Sequence, residues 1–156
     1  MFNSYFYTKY DVNLVDITSY TVYILNRIRG EMKKKAIYYE DERNNRPVEE
    51  FINELDFKIK KKVFSRISFL EEHWQGLRRP YVDTLQGGLY ELRVIFSGNQ
   101  VRVIYAYMFK NYIVLLHGLI KKTDAVPKED MLKAANRMSD FQTRVNQGKV
   151  KLPKIE

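Results

Sequence analysis

The chain's patterning predicts an α+β domain made of a helical hairpin, an antiparallel sheet and a C-terminal helix. Three observations predict it. Residues 89–122, LYELRVIFSGNQVRVIYAYMFKNYIVLLHGLIKK, hold three runs rich in Val, Ile, Leu and Tyr, separated by SGNQ and MFKN. Runs bounded by such turn signals read as a three-stranded antiparallel meander. Upstream lie two helical stripes of apolar residues, and downstream a proline opens a third.

Residues 1–31 are aromatic-rich and β-prone, with neither clean alternation nor a helical stripe. They lack the basic start, compact apolar core and small-residue cleavage site of a signal peptide. Two readings stand. The segment adds a strand or hairpin to the sheet, or it precedes the native start. In the second, Arg29-Gly30-Glu31 corresponds to a purine-rich ribosome-binding site ahead of Met32. We take the second as the expectation: a loosely attached extension at 1–31, a domain at 32–146 and a frayed tail at 147–156.

KAIYYE at 35–40 reads as a first strand and DERNNR as a polar loop. Pro47 suits a first helical turn, and Val48, Phe51, Ile52 and Leu55 follow at helical spacing. Asp56 caps the next helix, where Val63, Ile67, Leu70 and Trp74 form a stripe widened by Phe64. So short a link makes a helical hairpin, expected to lie across the sheet's apolar face. Residues 81–85 form a brief strand or an extended approach, and Gln86-Gly87-Gly88 a tight turn. After the meander, Pro127 opens a helix with Met131, Ala134, Ala135, Met138, Phe141 and Val145 on one stripe, stopped at Gln147-Gly148.

Alternation sorts the meander's side chains. With Gly98 and Asn99 at the centre of the first turn, Ile95 faces Arg102 and Arg93 faces Ile104. One face then carries Tyr90, Leu92, Val94, Phe96, Val101, Val103, Tyr105 and Tyr107, and the other Glu91, Arg93 and Arg102. His117 joins the charged face whether the second turn is Lys110-Asn111 or residues 108–111.

The net charge of +8 points to a polyanionic partner, nucleic acid or an acidic protein. Lys9, Arg27 and Arg29 cancel Asp11, Asp16 and Glu31, so the excess lies wholly beyond residue 31. Lys58, Lys60, Lys61, Lys62 and Arg66 mark the solvent side of the second helix, with Arg78 and Arg79 in the following loop. This is either a solvated face or a surface for RNA phosphate, with Lys60, Lys61, Lys62, Arg66, Arg78 and Arg79 as its contacts. His73 beside Trp74 reads as a helix-end residue, not a ligand.

Several chemistries are poorly supported. There is no cysteine, hence no thiolate nucleophile or Cys-held metal, and only two histidines. No GxSxG, Walker loop, Rossmann glycine set or carboxylate cluster for Mg²⁺ occurs, so no metal or cofactor is expected. No run reaches the roughly 18 apolar residues of a membrane span, and neither a membrane partner nor a location outside the cytoplasm is expected. The charged sheet face suits metal-independent RNA cleavage. That reaction needs deprotonation of the ribose 2′-hydroxyl, charge stabilisation on phosphorus and a proton for the leaving oxygen. Arginine grips two phosphate oxygens at once, and Lys, His or Glu can move protons. The bland alternative is a Glu91–Arg93 ion pair and a core His117; both readings stand at this level.

YELRV, RVIYAY and LLHGLIKK, the RPVEEF helix start and the Pro-led KEDMLKAANRM together resemble the HigB/Gp49-like branch of the RelE/ParE toxin superfamily. The resemblance spans about residues 33–142. It implies a RelE-like fold with a curved antiparallel sheet, and the toxin of a type II toxin–antitoxin pair. The implied activity is ribosome-dependent, metal-independent cleavage of mRNA. The implied partners are mRNA on the ribosome and a helix-turn-helix antitoxin, with operator DNA bound only through the toxin–antitoxin complex. Carried over residue by residue, Arg93 and Arg102 would bind the scissile phosphate, and Lys121 and Lys122 would supply positive charge and proton transfer. Glu91 and His117 are further acid–base candidates, and Glu91 could instead orient Arg93. The catalytic tyrosine of some relatives has no assigned counterpart. Two competing readings are a ParE-like inhibitor of DNA gyrase and a non-catalytic nucleic-acid-binding module of phage or chromosomal origin.

Overall fold

A computed structural model describes residues 21, 22, 24, 25, 33–122 and 125–155. The chain divides into two units, Met1–Met32 and Lys33–Glu156. In the first, Thr21, Val22, Ile24 and Leu25 are helical, not extended. The rest of the 1–31 extension, and the expectation about its start, lie outside the described residues.

In the second unit the elements are β1 (Lys35–Tyr38), α1 (Pro47–Glu54), α2 (Phe57–His73), β2 (Val82–Thr84), a 3-10 turn (Gln86–Gly88), β3 (Tyr90–Phe96), β4 (Asn99–Met108), β5 (Tyr112–Ile120) and α3 (Lys128–Asn146). Pro47 stands at the first position of α1, and the Asp56 carboxylate accepts from the Lys58 amide at 3.0 Å to cap α2. The strands form one sheet in the order β1-β5-β4-β3-β2. It is mixed, not antiparallel throughout, because β1 runs parallel to β5. The intervening helical hairpin returns the chain to the far edge of the sheet, and the meander then brings β5 alongside β1 in the same direction.

The α1–α2 hairpin covers one face of the sheet as expected, with Val48, Ile52, Val63 and Leu70 packed towards Leu92, Val103 and Tyr105. Each such aliphatic side chain contributes about 1.5–3 kcal/mol by leaving water. Phe64 does not widen this core; it stands 42% exposed. The opposite face is not a charged surface overall. Most of it is a second core, in which Ala134 and Phe141 of α3 lie over Ile104, Ala106, Val114 and Leu116. Nor is the tail frayed: Val150 and Leu152 join the second core, and the Tyr112 hydroxyl donates to the Pro153 carbonyl.

Both turns depart from expectation. The first has Ser97 and Gly98 at its centre, both left-handed at φ 48° and 77°, as a tight hairpin turn requires. Arg93 therefore faces Arg102 and Ile95 faces Gln100. The shift is an even number of residues, so every side chain keeps its face. The second turn holds three residues, with Met108 opposite Tyr112. A β-bulge then leaves Leu116 unpaired between the Tyr105–Leu115 and Ile104–His117 pairs. His117 thus reaches the expected face, whereas Ile113 and Leu115, of the same parity, turn to the hairpin side. On that side Gly118 admits Phe51 of α1: a Cβ there would overlap the phenyl ring.

Candidate active site

Two neighbouring rows cross the sheet, Glu91–Ile104–His117 and Arg93–Arg102–Leu119. Lys121 follows β5, tied by its amide to the Gln100 carbonyl at 2.7 Å. These positions bring four of the sequence candidates together. Glu91 Oε1 lies 3.6 Å from Arg93 Nε, 3.6 Å from Arg102 Nε and 3.8 Å from Lys121 Nζ. Glu91 is 2% exposed, Arg102 0% and Lys121 8%. Three cations against one carboxylate leave a net local charge of +2.

The separations are ion pairs longer than hydrogen bonds. Among the described residues, Glu91 Oε2, Arg93 Nε and Arg102 Nε have no hydrogen-bond partner. The Arg102 guanidinium donates to the Val101 carbonyl and to Gln100 Oε1, each at 3.1 Å. Burial pushes its pKa below the usual arginine value; Glu91 opposes that shift and the Arg93 charge adds to it. Arginine stays protonated regardless. Buried donors with unused capacity and excess positive charge are suited to a phosphate, whose oxygens accept several charge-assisted hydrogen bonds.

His117 lies on the neighbouring row, but its ring is already engaged. Nε2 is 2.6 Å from Asp130 Oδ1, and Arg137 Nη1 is 3.0 Å from Nδ1. Arginine only donates, so Nδ1 accepts and the ring proton sits on Nε2, directed to Asp130. The bulge contributes here: Arg137 Nη1 also donates to the carbonyl of the unpaired Leu116 at 2.9 Å. Burial holds the His117 pKa below its ordinary value; Asp130 opposes this, and the Arg137 charge reinforces it.

Beside this relay opens a cavity of about 330 Å³ lined by Leu119, Ile120, Lys121, Lys122, Pro127 and Asp130. Lys121 belongs both to this cavity and to the cation cluster, so the two adjoin. Lys122 is exposed at the rim. Asp130 and Arg137 were missed from sequence. Their signal was charge at i and i+7 flanking the buried Ala134 on one helix face.

The six basic candidates divide. Lys61 and Lys62, with Lys58, Ser65 and Phe96, line a shallow concavity of about 290 Å³ on the hairpin side. Arg78 is exposed. Lys60 instead donates to the Asn53 carbonyl at 2.8 Å, tying α2 to α1. The half-buried Arg66 guanidinium lies 4.5 Å from the Tyr81 ring centroid, and Arg79 pairs with Asp83 at 2.5 Å. These three are engaged in holding local structure.

Among the described residues, no group of three or more His, Cys, Asp or Glu is placed to hold a metal ion, and no helix is long and apolar enough to cross a membrane. No curated protein matches the chain. The family described as Phage derived protein Gp49-like (DUF891) matches residues 50–139, from within α1 through β2–β5 and most of α3, and the chain belongs to that family.

Proposed function

We propose that this protein is a ribosome-dependent endoribonuclease, the toxin of a toxin–antitoxin pair, which stops translation by cutting mRNA. Family membership supports the toxin–antitoxin association. The observation that carries the nuclease reading is the convergence of Arg93, Arg102 and Lys121 on one buried carboxylate oxygen beside a lysine-lined cavity. A scissile phosphate at this site meets the Arg93 guanidinium, and the enclosed Arg102 and Lys121 add positive charge behind it, which stabilises the phosphorane. Glu91 keeps the three cations together before substrate arrives. A helix-turn-helix antitoxin neutralises the toxin, and the complex of the two binds operator DNA.

Arg93 is the residue for the test, because its side chain is 19% exposed and it can be replaced with less damage than the fully enclosed Arg102. Induced expression of the wild type should arrest protein synthesis and leave cleaved transcripts. Arg93→Ala should fold, by circular dichroism and melting, and cut ribosome-bound mRNA at least about 10²-fold more slowly. Undiminished cutting by a folded Arg93→Ala protein would overturn the site assignment. Arrest of DNA synthesis without cut transcripts would overturn the nuclease itself in favour of a gyrase inhibitor.

A further inference from the structure

We propose that Asp130 is the base that takes the proton of the attacking ribose 2′-hydroxyl, held in position by His117 and Arg137. The inference rests on the nuclease reading above and names a residue outside the set that the sequence suggested.

Elimination carries the first half. A base must reach the substrate and have a free lone pair. His117 has neither nitrogen to give: Nδ1 accepts from Arg137, and Nε2 carries the proton donated to Asp130. Glu91 is 2% exposed and ringed by three cations. Lys121 and Lys122 carry no lone pair while protonated. Among the described residues lining the cavity, Asp130 is the one carboxylate. Its side chain is 21% exposed, open enough for substrate contact.

Geometry carries the second half. Asp130 stands in the first turn of α3, and its Oδ1 receives the His117 Nε2 proton at 2.6 Å. That bond leaves Oδ2 as the oxygen for the 2′-hydroxyl. The imidazole is itself fixed by Arg137, which the bulge carbonyl of Leu116 anchors in turn. Such a chain of donors orients the carboxylate, as hydrogen bonds from behind orient metal-binding and catalytic groups generally. His117 and Arg137 are therefore positioning residues.

The step balances without a co-reactant. The 2′-oxygen forms a bond to phosphorus as its proton passes to Asp130. The bond from phosphorus to the 5′-oxygen breaks, and that oxygen takes a proton from the Lys122 ammonium. The products are a 2′,3′-cyclic phosphate and a 5′-hydroxyl. Asp130 and Lys122 then exchange their protons with solvent.

The experiment is single-turnover cleavage of mRNA on ribosomes by the full chain, followed across pH. The titratable and charged groups around Asp130 are His117, Lys121 and Lys122 from β5 and its end, and Lys133 and Arg137 from its own helix. Asp130→Asn keeps an acceptor for His117 and should slow cleavage by about 10²–10⁴-fold, with KM little changed and the acidic limb of the profile gone. Asp130→Glu should recover part of the rate together with that limb. His117→Gln should slow the reaction less than Asp130→Asn and keep the limb. A folded Asp130→Asn protein that cuts at wild-type rate with an unchanged profile would overturn the assignment while leaving the nuclease intact. A wild type that cuts nothing on the ribosome would remove the nuclease reading and this inference together.

Discussion

On one face of the sheet, Arg93, Arg102 and Lys121 are drawn out of water around Glu91; on the other, Lys58, Lys61 and Lys62 stand in solvent near Phe96. Both regions are basic, yet their physics differs. Taking an ion out of water costs several kcal/mol, and a buried cation persists only where partners offset that. Exposed lysines cost little and, one at a time, contribute little. A buried excess of charge therefore needs a reason beyond stability, whereas an exposed basic helix provides long-range attraction to a polyanion and no more. One net charge thus divides between a buried cation cluster and a solvated basic helix face.

The largest effect should come from Arg102→Met, which strips the enclosed Glu91 of one partner. Urea unfolding should show a loss of about 3–5 kcal/mol. Lys61→Ala should stay within about 0.5 kcal/mol of wild type by the same measurement. Equal losses in the two proteins would erase the distinction. Next comes Glu91→Gln, which leaves three cations without their counterion and should cost about 3 kcal/mol. Added phosphate should restore much of this melting temperature while barely moving that of the wild type. A variant melting that phosphate does not move would show that the cluster does not accept an anion.

A smaller effect follows from His117. Its folded pKa lies below the ordinary 6.5, so between the two values the unfolded chain binds a proton that the folded chain does not. Stability is then full above about pH 6.5 and falls as pH drops towards the folded value. Denaturation midpoints should decline through that window, and His117→Gln should flatten the decline. The smallest effect belongs to the exposed face. Replacing Lys58, Lys61 and Lys62 together by alanine should raise KM without lowering kcat. It should also make the log–log salt dependence of ribosome binding shallower by about 2, at roughly 0.7 for each phosphate that is no longer neutralised.

How far the sequence led can be judged at particular residues. Alternation assigned Glu91, Arg93 and Arg102 to one face because a two-residue repeat tolerates a register error of two, and such an error did occur at Ser97-Gly98. His117 reached that face only because the bulge follows a three-residue turn, and no residue in NYIVLLHG announces a bulge. The direction of β1 was illegible, since its partner lies at the other end of the domain. Phe64 fits the apolar stripe of α2, yet it remains exposed to solvent. In the sequence, Asp130 and Arg137 lie off the apolar stripe of α3. Their meaning appears only once α3 lies over β5 and they close on His117.

Gly118 sits next to His117 on β5, with its missing side chain replaced by the Phe51 ring of α1. The thickness of the domain between α1 and β5 is thus set by one absent methyl group. The phenyl ring and the notch it fills behave as a lock and its ward, each the wrong shape without the other. A larger residue at 118 would push α1 outward or bend β5, and the bend would travel one residue to the histidine that steadies Asp130. The helical hairpin, packed on the sheet face opposite α3, therefore has a mechanical hold on His117 from behind the sheet.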